Sequence, residues 1–215
     1  MRDLTIQKIK EEKIIIIVRG VDREKLIPMA EALYEGGIRL LELTYDAKGN
    51  PADEEIADRI AMLAKHFEGR MLIGAGTVLT EKQVELTKAA GGRFIISPDA
   101  APEVIKATRA AGLVSIPGCL TPSEMQQAHK DGADFIKLFP ANAFGPAYFK
   151  VVKAPLSHLN ILAVGGVSAK NLADYEAAGA AGYGMAGDIL DRKAIAENDW
   201  QVLTDKARKY VELVK

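Results

Sequence analysis

Short runs of consecutive apolar residues alternate along this chain with longer stretches in which apolar positions recur every three or four residues. The runs are Ile14–Val18, Leu40–Leu43, Leu72–Ala75, Phe94–Ser97, Val114–Pro117, Phe135–Phe139, Ile161–Val164 and Gly182–Ala186. Continuous apolarity predicts strands covered on both faces, as in a parallel sheet. The intervening stretches predict helices: after Asp22, the residues Leu26, Met29, Ala30 and Leu33 share one stripe, and Gly36-Gly37 stops it. Similar stops recur ahead of later runs, at Ala90-Gly91-Gly92, Ala111-Gly112, Asp131-Gly132-Ala133 and Ala178-Gly179-Ala180. The repetition matches the strand count of a closed barrel. The expectation is therefore an α/β chain forming a single (β/α)8 TIM barrel domain over residues 1–215, with an extra helix from Met1 to Lys13. An open doubly wound sheet would give the same alternation. It usually carries a Gly-rich fingerprint after its first strand, which Val18-Arg19-Gly20-Val21-Asp22 does not match. The polar insertion from Tyr45 to Glu55 follows the second run, on the side where barrel enzymes gather their active-site loops. Trp200, Leu203, Ala207 and Tyr210 predict a last helix packed on the barrel.

Composition narrows the classes. With 48% hydrophobic residues in 215, one sizeable core is affordable and two ordinary domains are not. The 28 Lys plus Arg nearly cancel the 29 Asp plus Glu, so no broad field favours nucleic acid or an anionic membrane, and a charged ligand must be caught locally. A single cysteine, Cys119, excludes an internal disulfide framework and reads as a small packing residue. His66, His129 and His158 are too dispersed to suggest a zinc site. The apolar run Ile14–Val18 is too short for a signal sequence or a membrane span. A soluble, unprocessed, cytoplasmic protein without metal or cofactor is expected.

Two charged residues interrupt apolar runs. In Phe135-Ile136-Lys137-Leu138-Phe139 the lysine shares a strand face with both phenylalanines. Desolvation there favours the neutral amine, the form that attacks a carbonyl; the competing reading is a strand-end lysine that snorkels to water. Glu42, within Leu40-Leu41-Glu42-Leu43-Thr44, is a carboxylate near the loop end of its strand. It reads as a proton shuttle or as half of a buried ion pair, with Lys137 as one candidate partner. Gly165-Gly166 ends the seventh run and Gly187-Asp188 follows the eighth, where such barrels commonly bind phosphate on backbone N–H groups. Asp188 places a negative charge at that spot, unless it caps the next helix. Arg19 ends the first run on the face of Ile15 and Ile17, either as a carboxylate fork at the barrel mouth or facing solvent. Thr77, in Gly74-Ala75-Gly76-Thr77-Val78, offers a hydroxyl to the same ligand.

With Leu41-Glu42-Leu43-Thr44, Gly74-Ala75-Gly76-Thr77-Val78, Ile96-Ser97-Pro98, Pro117-Gly118-Cys119, Thr121-Pro122-Ser123-Glu124, Lys137-Leu138-Phe139-Pro140-Ala141 and Gly165-Gly166-Val167 in this order, the chain resembles the 2-keto-3-deoxy-6-phosphogluconate and 4-hydroxy-2-oxoglutarate aldolases over nearly its whole length. The resemblance implies a class I aldolase. Lys137 is then the Schiff-base lysine and Glu42 the proton shuttle; Thr77, Pro98 and Phe139 line a pyruvate pocket, and Gly165 and Gly166 hold a distal phosphate. It also implies a homotrimer that needs no metal. Three positions depart from the pattern. Asp46 stands where many members carry a substrate-gripping arginine, a task that Arg19 is expected to take over. Val164 replaces the threonine frequent in gluconate-type enzymes and looks more like the branch acting on 2-keto-3-deoxy-6-phosphogalactonate. Ala186-Gly187 replaces a Gly-Ser and loses a hydroxyl to phosphate. A phosphosugar isomerase or synthase barrel, or a non-catalytic barrel, remain as rival classes.

Overall fold

The computed structural model describes residues 1–214. Strands β1 (Ile14–Val18), β2 (Leu40–Thr44), β3 (Leu72–Gly76), β4 (Phe94–Ile96), β5 (Val114–Ile116), β6 (Gly118–Cys119), β7 (Ile136–Leu138), β8 (Ile161–Val164) and β9 (Gly182–Met185) are all parallel, in the order β5-β4-β3-β2-β1-β9-β8-β7-β6. Nine strands form eight staves, because β5 and β6 are one stave interrupted at Pro117. Proline has no N–H to give the ladder. Its carbonyl still accepts from Lys137 N–H at 2.8 Å, and Ser115 O accepts from Phe135 N–H at 3.2 Å, so this stave joins β4 on one side to β7 on the other. The barrel closes.

Helices α1 (Arg2–Glu12), α2 (Arg23–Glu35), α3 (Asp53–His66), α4 (Glu81–Ala89), α5 (Pro102–Ala110), α6 (Pro122–Asp131), α7 (Gly145–Lys153), α8 (Leu172–Ala177), α9 (Arg192–Glu197) and α10 (Trp200–Val214) cover the outside and one end. Local chemistry starts several of them. Thr121 and Glu124 form a reciprocal capping box at α6, and Thr80 caps α4. Asp22 holds the first position before α2 but makes no side-chain capping bond. The last helix, α10, expected to pack on the barrel, does so against α2: a Cβ at Gly36 would meet Ala207 Cβ, so only glycine permits this approach.

Side-chain alternation sorts the barrel into layers. Ile15, Leu40, Phe94, Ile96, Val114, Ile116, Phe135, Leu162 and Val164 point inward and form a buried core, which Ile9 of α1 seals from below. The opposite faces pack on the helices in the larger outer core. Two residues further along several inward-facing rows come Glu42, Lys137 and Pro98. Parity therefore sends these groups to the open, C-terminal mouth. No helix among the described residues is long and apolar enough to cross a membrane.

Candidate active site

All ten residues singled out in the sequence line one cavity of about 530 Å³ at this mouth: Arg19, Glu42, Thr77, Pro98, Lys137, Phe139, Gly165, Gly166, Gly187 and Asp188. Val164 lines it too, with Val167 and Ala186 of the motifs quoted above, as do Ile17, Ser168 and Met185, which the sequence did not mark out. Ile17 was within reach, since it shares a face with Arg19. Ser168 enters only through the path of the loop after β8.

Lys137 lies at the centre of β7, in register with Gly118 of β6 and Leu162 of β8, and is 7% exposed. Burial lowers its pKa, opposed by the charge of Glu42 and assisted by that of Arg19. Its Nζ stands 4.6 Å from the centroid of the Phe139 ring. That ring face offers the ammonium weak compensation, smaller than what water would give. The surroundings thus favour a free amine at the mouth of the core.

Glu42, in register with Ile17 and Gly74, is 2% exposed, and its Oε2 has no hydrogen-bond partner. Burial pushes its carboxyl up to about 7, against the pull of Lys137 and Arg19. A carboxyl poised there exchanges protons in both directions at neutral pH. The carboxyl folds over the backbone of Gly76: a Cβ at that position would sit 2.2 Å from Glu42 Oε1 and 2.6 Å from its Cδ. Gly76 is not in the left-handed region, so alanine fits its backbone, and the nearest atoms it would meet are those of the Glu42 carboxyl. Gly76→Ala is predicted to lower kcat by roughly a hundredfold, the scale of misplacing an active-site group by about an ångström. Thermal unfolding should move by only a few degrees. A kcat within threefold of wild type would show that the carboxyl needs no such seat.

Arg19 Nη2 donates to Thr77 Oγ1 at 2.7 Å. Thr77 has φ 54°, a conformation costly for a β-branched residue and held by its surroundings. The pair presents a guanidinium and a hydroxyl on one side of the cavity, a fit for a planar carboxylate. Asp46 is not part of the cavity wall: its Oδ1 accepts from Lys48 N–H at 2.8 Å and shapes its own loop. The same loop begins with Tyr45, which the sequence placed in a polar insertion. The structure corrects this, since Tyr45 is fully buried and its hydroxyl lies 2.9 Å from Thr87 Oγ1.

Elsewhere on the cavity wall Gly165 and Gly166 adopt φ of 94° and 71°, and a Cβ at Gly165 would lie 3.4 Å from the Phe139 ring. A Cβ at Gly166 would lie 2.5 Å from Asn142 Cβ. Asp188 requires a correction. It does not cap the helix after β9; Asp191 does, accepting from Lys193 N–H and Ala194 N–H. Asp188 Oδ2 instead accepts from the Tyr210 hydroxyl at 2.6 Å. The helix starts three residues later than Asp188 implied, after a turn over residues 187–189. Among the described residues no group of three or more His, Cys, Asp or Glu is arranged to hold a metal.

A closed barrel that brings a buried amine and a buried carboxyl to one chamber, together with a guanidinium and glycine-rich turns, defines an enzyme site suited to carbonyl compounds. A family model described as KDPG and KHG aldolase matches residues 5–206. The chain is 37% identical over 180 residues to a probable 2-dehydro-3-deoxy-6-phosphogalactonate aldolase of Rhizobium meliloti, covering 83% of this chain and 82% of that one. It is 33% identical to the 2-dehydro-3-deoxy-6-phosphogalactonate aldolase of Escherichia coli, covering 94% and 96%. A KDPG aldolase from Legionella pneumophila, solved with pyruvate captured as a covalent carbinolamine, superposes with a TM-score of 0.82 at 30% identity over 92% of this chain and 93% of that one. The chain belongs to the KDPG and KHG aldolase family and is an aldolase, hence a lyase.

Proposed function

We propose that this aldolase cleaves 2-keto-3-deoxy-6-phosphogalactonate to pyruvate and glyceraldehyde 3-phosphate through a Schiff base on Lys137. The observation that carries the mechanism is the buried Lys137 amine facing the same chamber as an unpartnered Glu42 carboxyl. The sequence put the gluconate isomer first, with 4-hydroxy-2-oxoglutarate, cleaved to pyruvate and glyoxylate, as the shorter substrate. Two observations move the galactonate isomer ahead. Relatives at 37% and 33% identity bear that name, and Val164 stands in the cavity wall where gluconate-type enzymes often have threonine. The gluconate isomer stays as the second reading, since a relative from Haemophilus influenzae at 29% identity is named for it.

In this mechanism the neutral Nζ attacks the C2 carbonyl carbon, and the carbinolamine hydroxyl takes the proton of the Glu42 carboxyl and leaves as water, giving an iminium. The iminium accepts the electron pair of the C3–C4 bond as Glu42 removes the proton of the C4 hydroxyl. The aldehyde departs and an enamine remains. Glu42 returns its proton to C3, and water hydrolyses the iminium to release pyruvate and the free amine. Arg19 and Thr77 receive the substrate carboxylate; Pro98 and Phe139 enclose the three-carbon pyruvyl part; Gly165, Gly166 and Gly187 take the phosphate on backbone N–H groups. We further infer a cytoplasmic homotrimer. Phe144 and Val151, 60% and 71% exposed beside and on α7, leave apolar surface suited to a neighbouring copy.

Borohydride reduction in the presence of pyruvate, read by intact mass and peptide mapping, tests the mechanism. The expected adduct is on Lys137; an adduct on another lysine, or none, sinks the assignment. The stereochemical part has its own test. Val164→Thr puts a hydroxyl beside Gly184, whose place Val164 crowds with its methyl groups. The ratio of kcat/KM for the galactonate over the gluconate isomer should fall roughly tenfold, the scale of a single polar change in a pocket. An unchanged ratio would remove Val164 as the discriminating residue.

A further inference from the structure

The turns assigned to the phosphate come from different staves, and one hydroxyl joins them. Tyr210 is buried in α10. Its OH donates to Asp188 Oδ2 at 2.6 Å in the turn after β9, and it accepts from Ala169 N–H at 3.0 Å in the loop after β8. A second tie from the same helix runs from Lys206 Nζ to Asp191 Oδ2 at 2.7 Å, at the start of α9. Asp188 is on the cavity wall beside Gly187, and an aspartate there is the wrong charge for a phosphate. Bound by the phenol, its carboxylate is drawn back toward α10. Burial and the bond to Asp188 push the Tyr210 hydroxyl up to about 12, so it stays a donor throughout the neutral range.

We infer that Tyr210, which does not line the cavity, is a positioning residue for phosphorylated substrates: it holds Asp188 away from the phosphate and fixes the two anion-binding turns against each other. The inference rests on the proposed phosphate and predicts a charge-specific defect. In Tyr210→Phe the ring still fills its place in the core, but Asp188 loses its donor and is free to turn into the chamber, where like charge repels.

The test is steady-state cleavage of the 6-phosphorylated 2-keto-3-deoxy acid and of its unphosphorylated counterpart by wild type, Tyr210→Phe and Tyr210→Phe/Asp188→Asn, with thermal unfolding as a fold control. Tyr210→Phe should raise KM for the phosphorylated substrate about tenfold, with kcat and the unphosphorylated KM within twofold of wild type. Adding Asp188→Asn should bring the phosphorylated KM back to within about threefold of wild type, a coupling that a merely structural tyrosine would not show. If Tyr210→Phe raises both KM values alike, or Asp188→Asn brings no recovery, the role of Tyr210 is overturned while the phosphate reading stands. If wild type does not distinguish the two substrates, the phosphate reading falls and this role falls with it.

Discussion

Lys137→Ala should lose at least four orders of magnitude in kcat while keeping the wild-type fold. No other group at the centre of the mouth offers the amine on which the proposed iminium depends, and covalent catalysis does not degrade gracefully when its nucleophile is missing. The fold should survive because Lys137 carries its own cost. Burial lowers its pKa, so in the folded state it binds a proton less readily than in the unfolded chain. From the lowered folded pKa up to the ordinary lysine value, the unfolded chain then holds more protons, and stability rises with pH across that interval. Below it the ammonium must be buried. A Lys137→Met variant, which fills the same space without charge, should therefore unfold at a higher temperature than wild type at neutral pH, with the gap closing above the ordinary lysine pKa. Circular dichroism melts over a pH series and cleavage assays on the same preparations check both halves. Residual turnover above roughly one per cent in either variant removes Lys137 from the mechanism.

The parts of this molecule that could be read from the sequence are those in which a residue contradicts its immediate neighbours. Lys137 and Glu42 stood out because each is charged inside an apolar run, and the same parity that buries Phe135 and Leu40 carries them into the mouth. The staves were legible because both faces are covered, so hydrophobicity is continuous. Pro117 was read as the end of one strand, whereas it splits a stave whose second part pairs with β7. Pairing on the far side of a closed barrel is set by closure, not by local preference. Gly76 appeared only as part of a motif, with no sign of its use, which is the space it leaves for a side chain 34 positions away. Asp188 shows the same limit from the other direction. Local rules make an aspartate after a strand a helix cap; the helix begins at the next aspartate, and Asp188 answers to a tyrosine 22 residues further on. Tyr45 was misread for a related reason, because a hydroxyl in a polar stretch gives no hint that its partner is Thr87.

Glu42→Gln should lower kcat/KM by roughly a thousandfold, the middle of the range for losing a general acid and base, and should at the same time make the protein harder to unfold above pH 7. The sign follows from the folded carboxyl titrating at about 7 against an ordinary 4.5. Between these values the folded state holds the proton and the unfolded state has released it, so wild-type stability falls as pH rises through this window and the full penalty is present above 7. A difference of that size corresponds to roughly 3 kcal/mol, of which the glutamine amide, left in the same unpartnered place, forfeits a part. The net gain expected is about 1–2 kcal/mol at pH 8, a rise of several degrees for a chain of this length. As pH falls toward 4.5 and below, the carboxyl becomes neutral in both states and the gain fades. Thermal melts of the two proteins at pH 4.5 and pH 8 decide the matter. If the glutamine variant is the less stable at pH 8, the ionised carboxylate is being held by a compensating partner. Glu42 would then be half of an ion pair, not a base kept short of solvation for the sake of proton transfer.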